Sequence, residues 1–570
     1  MAEHPMDAAL ERVRDALKGV RLPLDLPSAA PAAEYAARQV VQLDDYILPR
    51  LAEQNAPLVA VVGGSTGAGK STLVNSLIGR AVSPSSALRP TTRVPLLVHN
   101  PADASWFDSQ RILPNLARTR DESPAPGTLR LVAEVSQPEG LAILDAPDVD
   151  SVVEENRSLA GELLAAADLW IFLTTAARYA DAVPWDHLKQ AAERNVLVAL
   201  VLDRVPPRSM DEVRGYLTEL MARQGLGGSR LFCIPEVFEL ADGLLPAEAI
   251  AELREWLAGL AGDAAERNRV MMQTLTGAVD SLARHLPEVV TALRDQHQKV
   301  TDLRMSADRA YREALSRINQ QTADGTMLRG EVLDKWQDFV GTGEFFRAVE
   351  QRIGSIRDRI AAFFRGAPKQ ADEVSLAIES GLDILVREEA EAAAQRVYEL
   401  WSADPAGKQL ITAAKWNIGR GSPGLAASAT ELVRAWREDV LKLVSEQGYS
   451  KRSKARYLAL GVNGVGVALM ILVFSQTGGL LGAEVGIAGG TAVLAQRVLE
   501  AVFGEDAVRK LAKEAKLGLD KRIQELLAAE SARYGQLLGT LGVTLSAARW
   551  LETALDEVRL ARAEDDRLGG

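Results

Sequence analysis

Hydrophobic and polar positions change their rhythm three times along the chain. Over residues 1–50 apolar residues recur at helical spacing, and LPLDLPSAAP breaks them into two predicted helices. Between residues 57 and 236 short apolar runs take over: PLVAVVGG, RVPLLVH, TLRLVAEV, GLAILDAP, DLWIFLTT, NVLVALVLD and RLFCIP. Each has strand length and helical stretches separate them, which predicts an α/β sheet with crossover connections. From residue 246 to 450 the pattern is long amphipathic helix rich in Glu, Arg, Ala and Leu.

The third change is the sharpest. Residues 457–483, 27 positions, contain no charge, and apolar character resumes in VGIAGGTAVLAQ before Arg497. The first 19 of them make a helix of about 28 Å, close to the ~30 Å of a bilayer core. KRSKAR lies before the run; Arg509, Lys510, Lys513, Lys516, Lys521 and Arg522 lie after it. Cations on both flanks predict a hairpin entering a membrane from its cytoplasmic side. Tyr457, Leu460, Leu469, Ile471, Phe474 and Leu480 would then meet lipid. The alternative is a hydrophobic hairpin buried in a helix bundle. The predicted division is 1–50 N-terminal helices, 51–245 nucleotide domain, 246–450 stalk, 451–504 hairpin and 505–570 returning helix.

A chain of 570 residues is too long for one core. Its net charge of −12 speaks against a nucleic-acid partner. The single cysteine, Cys233, excludes an intramolecular disulfide and fits a reducing compartment. The N-terminus is charged and has no apolar h-region, so it does not read as a secretory signal. The histidines are scattered, and no metal other than Mg²⁺ is expected.

Chemistry concentrates where the first strand ends. VVGGSTGAGKSTLVNSL matches G-x-x-x-x-G-K-[ST] through Gly64, Gly69, Lys70 and Ser71. Residues Gly64, Ser65, Thr66, Gly67, Ala68, Gly69, Lys70, Ser71 and Thr72 are the candidate phosphate cradle. Backbone N–H groups and the following helix N-terminus bind phosphate oxygens. Lys70 brings a point charge to the β- and γ-phosphates, and Ser71 a hydroxyl to Mg²⁺. Asp145, closing GLAILDAPD, would hold Mg²⁺ through water. The residue after it is Ala146, where ATP-driven machines place a catalytic Glu. DAPD resembles a GTPase D-x-P-G turn with Asp148 for Gly, and a carboxylate there must point away from a γ-phosphate or act through a cation or water. Thr91 and Thr92, in LRPTTRVPLLVH, are candidates to complete the metal shell and orient water. Base choice stays open between GTP and ATP. Asp203 and Arg204 fall where a guanine-reading Asn/Thr-Lys pair would stand, and Pro206 replaces the discriminating Asp. Arg204 can stack on a purine and Asp203 can accept from guanine N–H groups.

With these residues in view, the run Thr92–Leu97 (TRVPLL) resembles the first switch of the dynamin superfamily. The order of leading helices, G domain, helical stalk, apolar tip and returning helix is similar too. VGGSTGAGKSTLVNSLIGRAV, LRPTTR, ARYADAVPW and EVLDKWQDFVGTGEFFR resemble actinobacterial dynamin-like proteins. The resemblance implies an α/β P-loop GTPase domain plus a long all-α helical stalk (neck and trunk) with an apolar membrane-interacting helical hairpin. It implies Mg²⁺-dependent GTP hydrolysis with Lys70, Ser71, Thr92 and Asp145 as catalytic residues, and Mg²⁺ on Ser71, Thr92 and Asp145. Implied partners are anionic lipids of the cytoplasmic leaflet, a second copy or another dynamin-like protein, and division-machinery proteins. The implied place is the cytoplasmic face of the cell membrane at septa. Dynamins carry a polar residue where this chain has Gly67, which leaves Arg89, Arg93 and Arg178 as candidates to offset transition-state charge.

Overall fold

The structure is a computed structural model that describes residues 5–53, 56–84, 94–109, 113, 116–122, 124–151, 154–179, 182–237, 240–340, 368–448, 462–475 and 487–568. The chain forms two compact units. The first comprises Met1–Leu22, Pro27–Asp295 and Thr544–Gly570; the second comprises Pro23–Leu26 and Gln296–Val543.

All seven apolar runs are strands of one sheet in the first unit. The strands are β1 (Leu58–Gly64), β2 (Leu96–His99), β3 (Ala117–Thr119), β4 (Thr128–Ala133), β5 (Leu141–Asp145), β6 (Leu169–Thr175), β7 (Leu197–Val205) and β8 (Arg230–Pro235). Their spatial order is β3-β4-β2-β5-β1-β6-β7-β8. Only the β2–β5 pairing is antiparallel. β3 has no apolar run to announce it, being three residues at an edge. β1 is buried along its whole length. Val59 and Val61 join the core on one face of the sheet, and Leu58, Ala60 and Val62 the core on the other. Helices cover both faces, which is why these strands read as continuous apolar runs rather than alternating ones. β1 lies between β5 and β6, so its carboxyl end opens where α/β sheets receive ligands.

The helices Pro5–Lys18, Ala29–Gln42 and Leu545–Leu568 belong to the same unit. Leu10, Val13, Leu551 and Leu555 share one core with the sheet, and Arg294 donates to Glu552 at 2.7 Å. A π-helical turn, Leu43–Ile47, aims Tyr46 at the start of β6. There Asp168 accepts from the Tyr46 hydroxyl at 3.0 Å, from Val59 N at 2.8 Å and from the Arg50 guanidinium. Burial and charge oppose each other at Asp168: burial raises its pKa, and Arg50 lowers it. The helix Ala264–Ala323 contributes residues to both units.

The second unit is helical, built mainly from Pro368–Ser402, Leu425–Gly448, Val462–Ser475, Ile487–Phe503 and Glu505–Gly539. The strap Pro23–Leu26 is stitched into it: Gln296 exchanges two hydrogen bonds with Leu24, and Gln409 bonds Pro23 O and Asp25 N.

The expected membrane hairpin, 451–504, is described only in part. Val462–Ser475 is the described helix of the uncharged run, and among the described residues no helix is long and apolar enough to cross a membrane. Leu469, Ile471 and Phe474 are fully buried in the core of the helical unit. A helix apolar on every side belongs either in lipid or at the centre of a protein. This one lies among its own neighbours, with Phe474 5.4 Å from Trp436. Five of the six cations after the run have acidic partners within the protein. Arg509, Lys510, Lys516 and Lys521 each pair with an acid one turn away, and Arg522 pairs with Asp439. Tyr457, Leu460 and Leu480 lie outside the described residues.

Candidate functional site

β1 ends at Gly64, the helix Lys70–Ile78 begins six residues on, and the turn between them needs three left-handed or open glycines. Gly64, Gly67 and Gly69 have φ of 146°, 75° and 102°. Gly64 is also required by crowding, since a Cβ there would stand 2.1 Å from the Leu173 carbonyl oxygen of β6. The turn therefore exposes backbone N–H groups at a helix N-terminus, the geometry that holds phosphate.

Lys70 is 5% exposed. Its ammonium donates to Gly64 O at 3.0 Å and Ser65 O at 3.3 Å, and forms an ion pair with Asp148. Of the arrangements open to Asp148, the structure has the one through a cation, the phosphate lysine. The Ser71 hydroxyl donates to Asp145 Oδ2 at 2.8 Å. Asp145 ends β5, beside β1, and is fully buried. Burial pushes its carboxyl above the ordinary range, while hydroxyls of Ser83 and Ser71 act against that rise. Asp145 Oδ1 is buried with no hydrogen-bond partner, and so is Ser65 Oγ. A hydroxyl beside an orphaned carboxylate oxygen is the hard-oxygen chemistry that Mg²⁺ takes, so Ser71 and Asp145 fit the ion that the fold implies. Among the described residues no group of three or more His, Cys, Asp or Glu has a metal-site arrangement.

The structure adds residues that motif reading missed. Ser83 Oγ donates to Asp145 Oδ2 at 2.6 Å. Asn75 fixes Ser83 there, accepting from its backbone N and donating to its O, each at 2.8 Å. Asp150 accepts from Thr66 N at 2.6 Å and Thr66 Oγ1 at 2.7 Å. Arg178 donates to Thr66 O at 3.1 Å and lies 3.4 Å from Asp150 Oδ2. Of the three arginines named for charge compensation, Arg178 is therefore at the loop; Arg89 and Arg93 lie outside the described residues, as do Thr91 and Thr92.

Asp203 and Arg204, at the end of β7, come to the same loop. A Cβ on Gly69 would lie 3.3 Å from Asp203 Oδ2 and 3.6 Å from Arg204 Nη2. Arg204 has φ of 57°, a conformation uncommon outside glycine. Burial raises the Asp203 carboxyl, and the Arg204 backbone and charge counter it. Ala68 is buried behind the turn, and Thr72 O accepts from Ser76 Oγ at 2.6 Å.

Residues 59–112, from β1 past the glycine loop, match the model of the dynamin family. Among solved structures, the chain is similar to a bacterial dynamin described as one of an oligomerised pair that senses and tethers membranes. That match has 11% identity over 98% of this chain and 96% of the other, with a TM-score of 0.40. It is also similar to LeoA, a bacterial dynamin GTPase from ETEC, at 11% identity over 98% and 97% of the two chains and a TM-score of 0.25. No curated protein sequence matches it. The segment that matches the dynamin family model thus carries the P loop at the centre of this sheet.

Proposed function

We propose that the protein is a Mg²⁺-dependent GTPase that couples GTP binding and hydrolysis to self-assembly and to membrane tethering or remodelling. The observation that carries the nucleotide part is the convergence of Lys70, Ser71 and Asp145 at the carboxyl ends of two adjacent strands. In this reading the loop N–H groups and Lys70 bind the phosphates, and Ser71 and Asp145 hold the ion, Asp145 through water. Bound Mg²⁺ supplies charge neutralisation at the β- and γ-phosphate oxygens. Thr92 orients the attacking water. Arg178, hydrogen-bonded beside Gly67, is the chain's own group to offset developing negative charge where Gly67 brings no side chain. Asp203 and Arg204, close to Gly69, support a purine seat with guanine accepted by the Asp203 carboxylate.

The membrane part rests on the uncharged run 457–483. Its central helix is packed in protein, so Tyr457, Leu460 and Leu480 on either side of that helix are the proposed lipid contacts. Tethering, the action named for the bacterial dynamin pair, is the form proposed for this contact. A second copy or another dynamin-like protein is the proposed partner. Division proteins at septa, on the cytoplasmic face of the membrane, are the proposed setting.

One experiment tests the core of this reading. Calorimetry with GTP and ATP, on wild type and Lys70→Ala, is paired with GTP turnover with and without anionic liposomes. Binding of GTP in preference to ATP, its loss in Lys70→Ala and turnover raised by liposomes are expected. Equal affinity for ATP overturns the base assignment, and no binding of either overturns the reading. Binding without turnover supports instead a nucleotide-gated scaffold, a reading favoured by the Asp148 carboxylate on Lys70.

A further inference from the structure

Two carboxylates just beyond β5 engage the loop that the nucleotide reading assigns to phosphate. The segment Asp145-Ala146-Pro147-Asp148-Val149-Asp150 runs along the loop, pinned by Ala146 N to Val62 O at 3.3 Å and Val149 N to Gly64 O at 3.4 Å. A lysine ammonium has three N–H donors. Those of Lys70 go to Gly64 O, Ser65 O and Asp148 Oδ1, so none is left for a ligand. Asp150 takes both the backbone N–H and the hydroxyl of Thr66, in the middle of the loop. Its other oxygen faces Arg178 at 3.4 Å. The principal cation, one of the anion-binding N–H groups and the neighbouring guanidinium are thus all engaged by anions of the chain itself.

We propose that Asp148 and Asp150 form an internal anionic plug that competes with the nucleotide for the phosphate cradle. Nucleotide entry then requires the 146–151 segment to leave. This inference rests on the nucleotide reading of the loop and goes beyond it, assigning to Asp148 the setting of nucleotide affinity. Entry strips Asp148 from Lys70 and would otherwise hold two like charges against each other, which costs free energy. The same movement releases Arg178 from Asp150 while leaving it at the Thr66 carbonyl. The helix Glu154–Ala165, separated from the segment by two residues, senses the displacement.

The test measures GDP, ADP and a non-hydrolysable GTP analogue on wild type, Asp148→Gly, Asp148→Asn and Asp150→Asn. Removing one competing charge-assisted hydrogen bond predicts about tenfold tighter binding. Both Asp148 variants should show it, since charge and not side-chain size does the competing. The Asn variant keeps the volume, and a melting curve checks that each protein is folded. Hydrogen exchange in residues 146–165 of the wild type should rise when nucleotide binds. Wild type that binds nucleotide, with folded variants binding no more tightly, overturns the plug alone. Unchanged exchange on binding overturns it too. Failure of every protein to bind any nucleotide removes the site reading, and the plug with it.

Discussion

Gly277 and Gly64 are both glycine because of what stands beside them, yet only one is visible in the sequence. A Cβ on Gly277 would lie 1.9 Å from the Arg194 carbonyl oxygen, where the helix Ala264–Ala323 presses on the turn after the helix Ala182–Glu193. Backbone cannot yield as a flexible side chain can. Gly277→Ala should therefore lower stability by about 1–3 kcal/mol, the usual cost of overpacking, measured by denaturant unfolding of the intact protein. An unchanged midpoint would remove that account of the contact. Gly64 was legible because a motif surrounds it. Gly277 was not, since a glycine inside a helical pattern gives no sign of what it touches. The site divides the same way. Lys70, Ser71 and Asp145 follow from spacing and strand ends, because the phosphate cradle is made locally by strand, turn and helix. Asp150 and Ser83 do not follow, because a polar residue just past a strand or helix reads as an ordinary turn.

At the scale of elements, apolar runs were a sound guide to strands and an ambiguous one to the helix Val462–Ser475. Seven runs became seven strands, and the sheet's centre followed. Only β3 escaped, because three residues with exposed or half-exposed side chains carry no period. For the helix, periodicity cannot tell lipid from protein, since each surrounds it with apolar atoms. The flanking charge is as two-sided: in sequence a lysine is a cation, whereas in the structure Lys510 and Lys521 have Glu514 and Glu525 one turn away. A stability measurement separates the two surroundings. Phe474 is fully buried against Trp436, so Phe474→Ala should cost about 3–5 kcal/mol in the absence of any lipid. Were the residue a lipid contact, the same change would spare stability in water and weaken flotation with vesicles.

The whole molecule is threaded so that the helical unit is nearly a single insertion, Gln296–Val543, while both ends of the chain belong to the nucleotide unit. Sheet, leading helices and Leu545–Leu568 share one core, which among the described residues contains none from the insertion. Joining residue 295 to residue 544 through a short glycine-serine linker should therefore give a folded protein that binds GTP as the intact chain does. Calorimetry and a cooperative melt are the readouts; an unfolded product would show that the nucleotide unit depends on the insertion. A returning C-terminal helix was expected from the order of elements, whereas the bounds of the insertion were not legible locally, because they depend on contacts between segments hundreds of residues apart. The burial of Val462–Ser475 has one more consequence. Hydrocarbon tails and a leucine-rich interior are similar company for such a helix, so its own transfer between them is close to neutral. The obstacle to its departure is the hollow it would leave beside Trp436 and Leu441, at about 24 cal/mol for every Å³ left unfilled. In that balance the helix is a keystone, and the arch would have to be rebuilt before the stone could move.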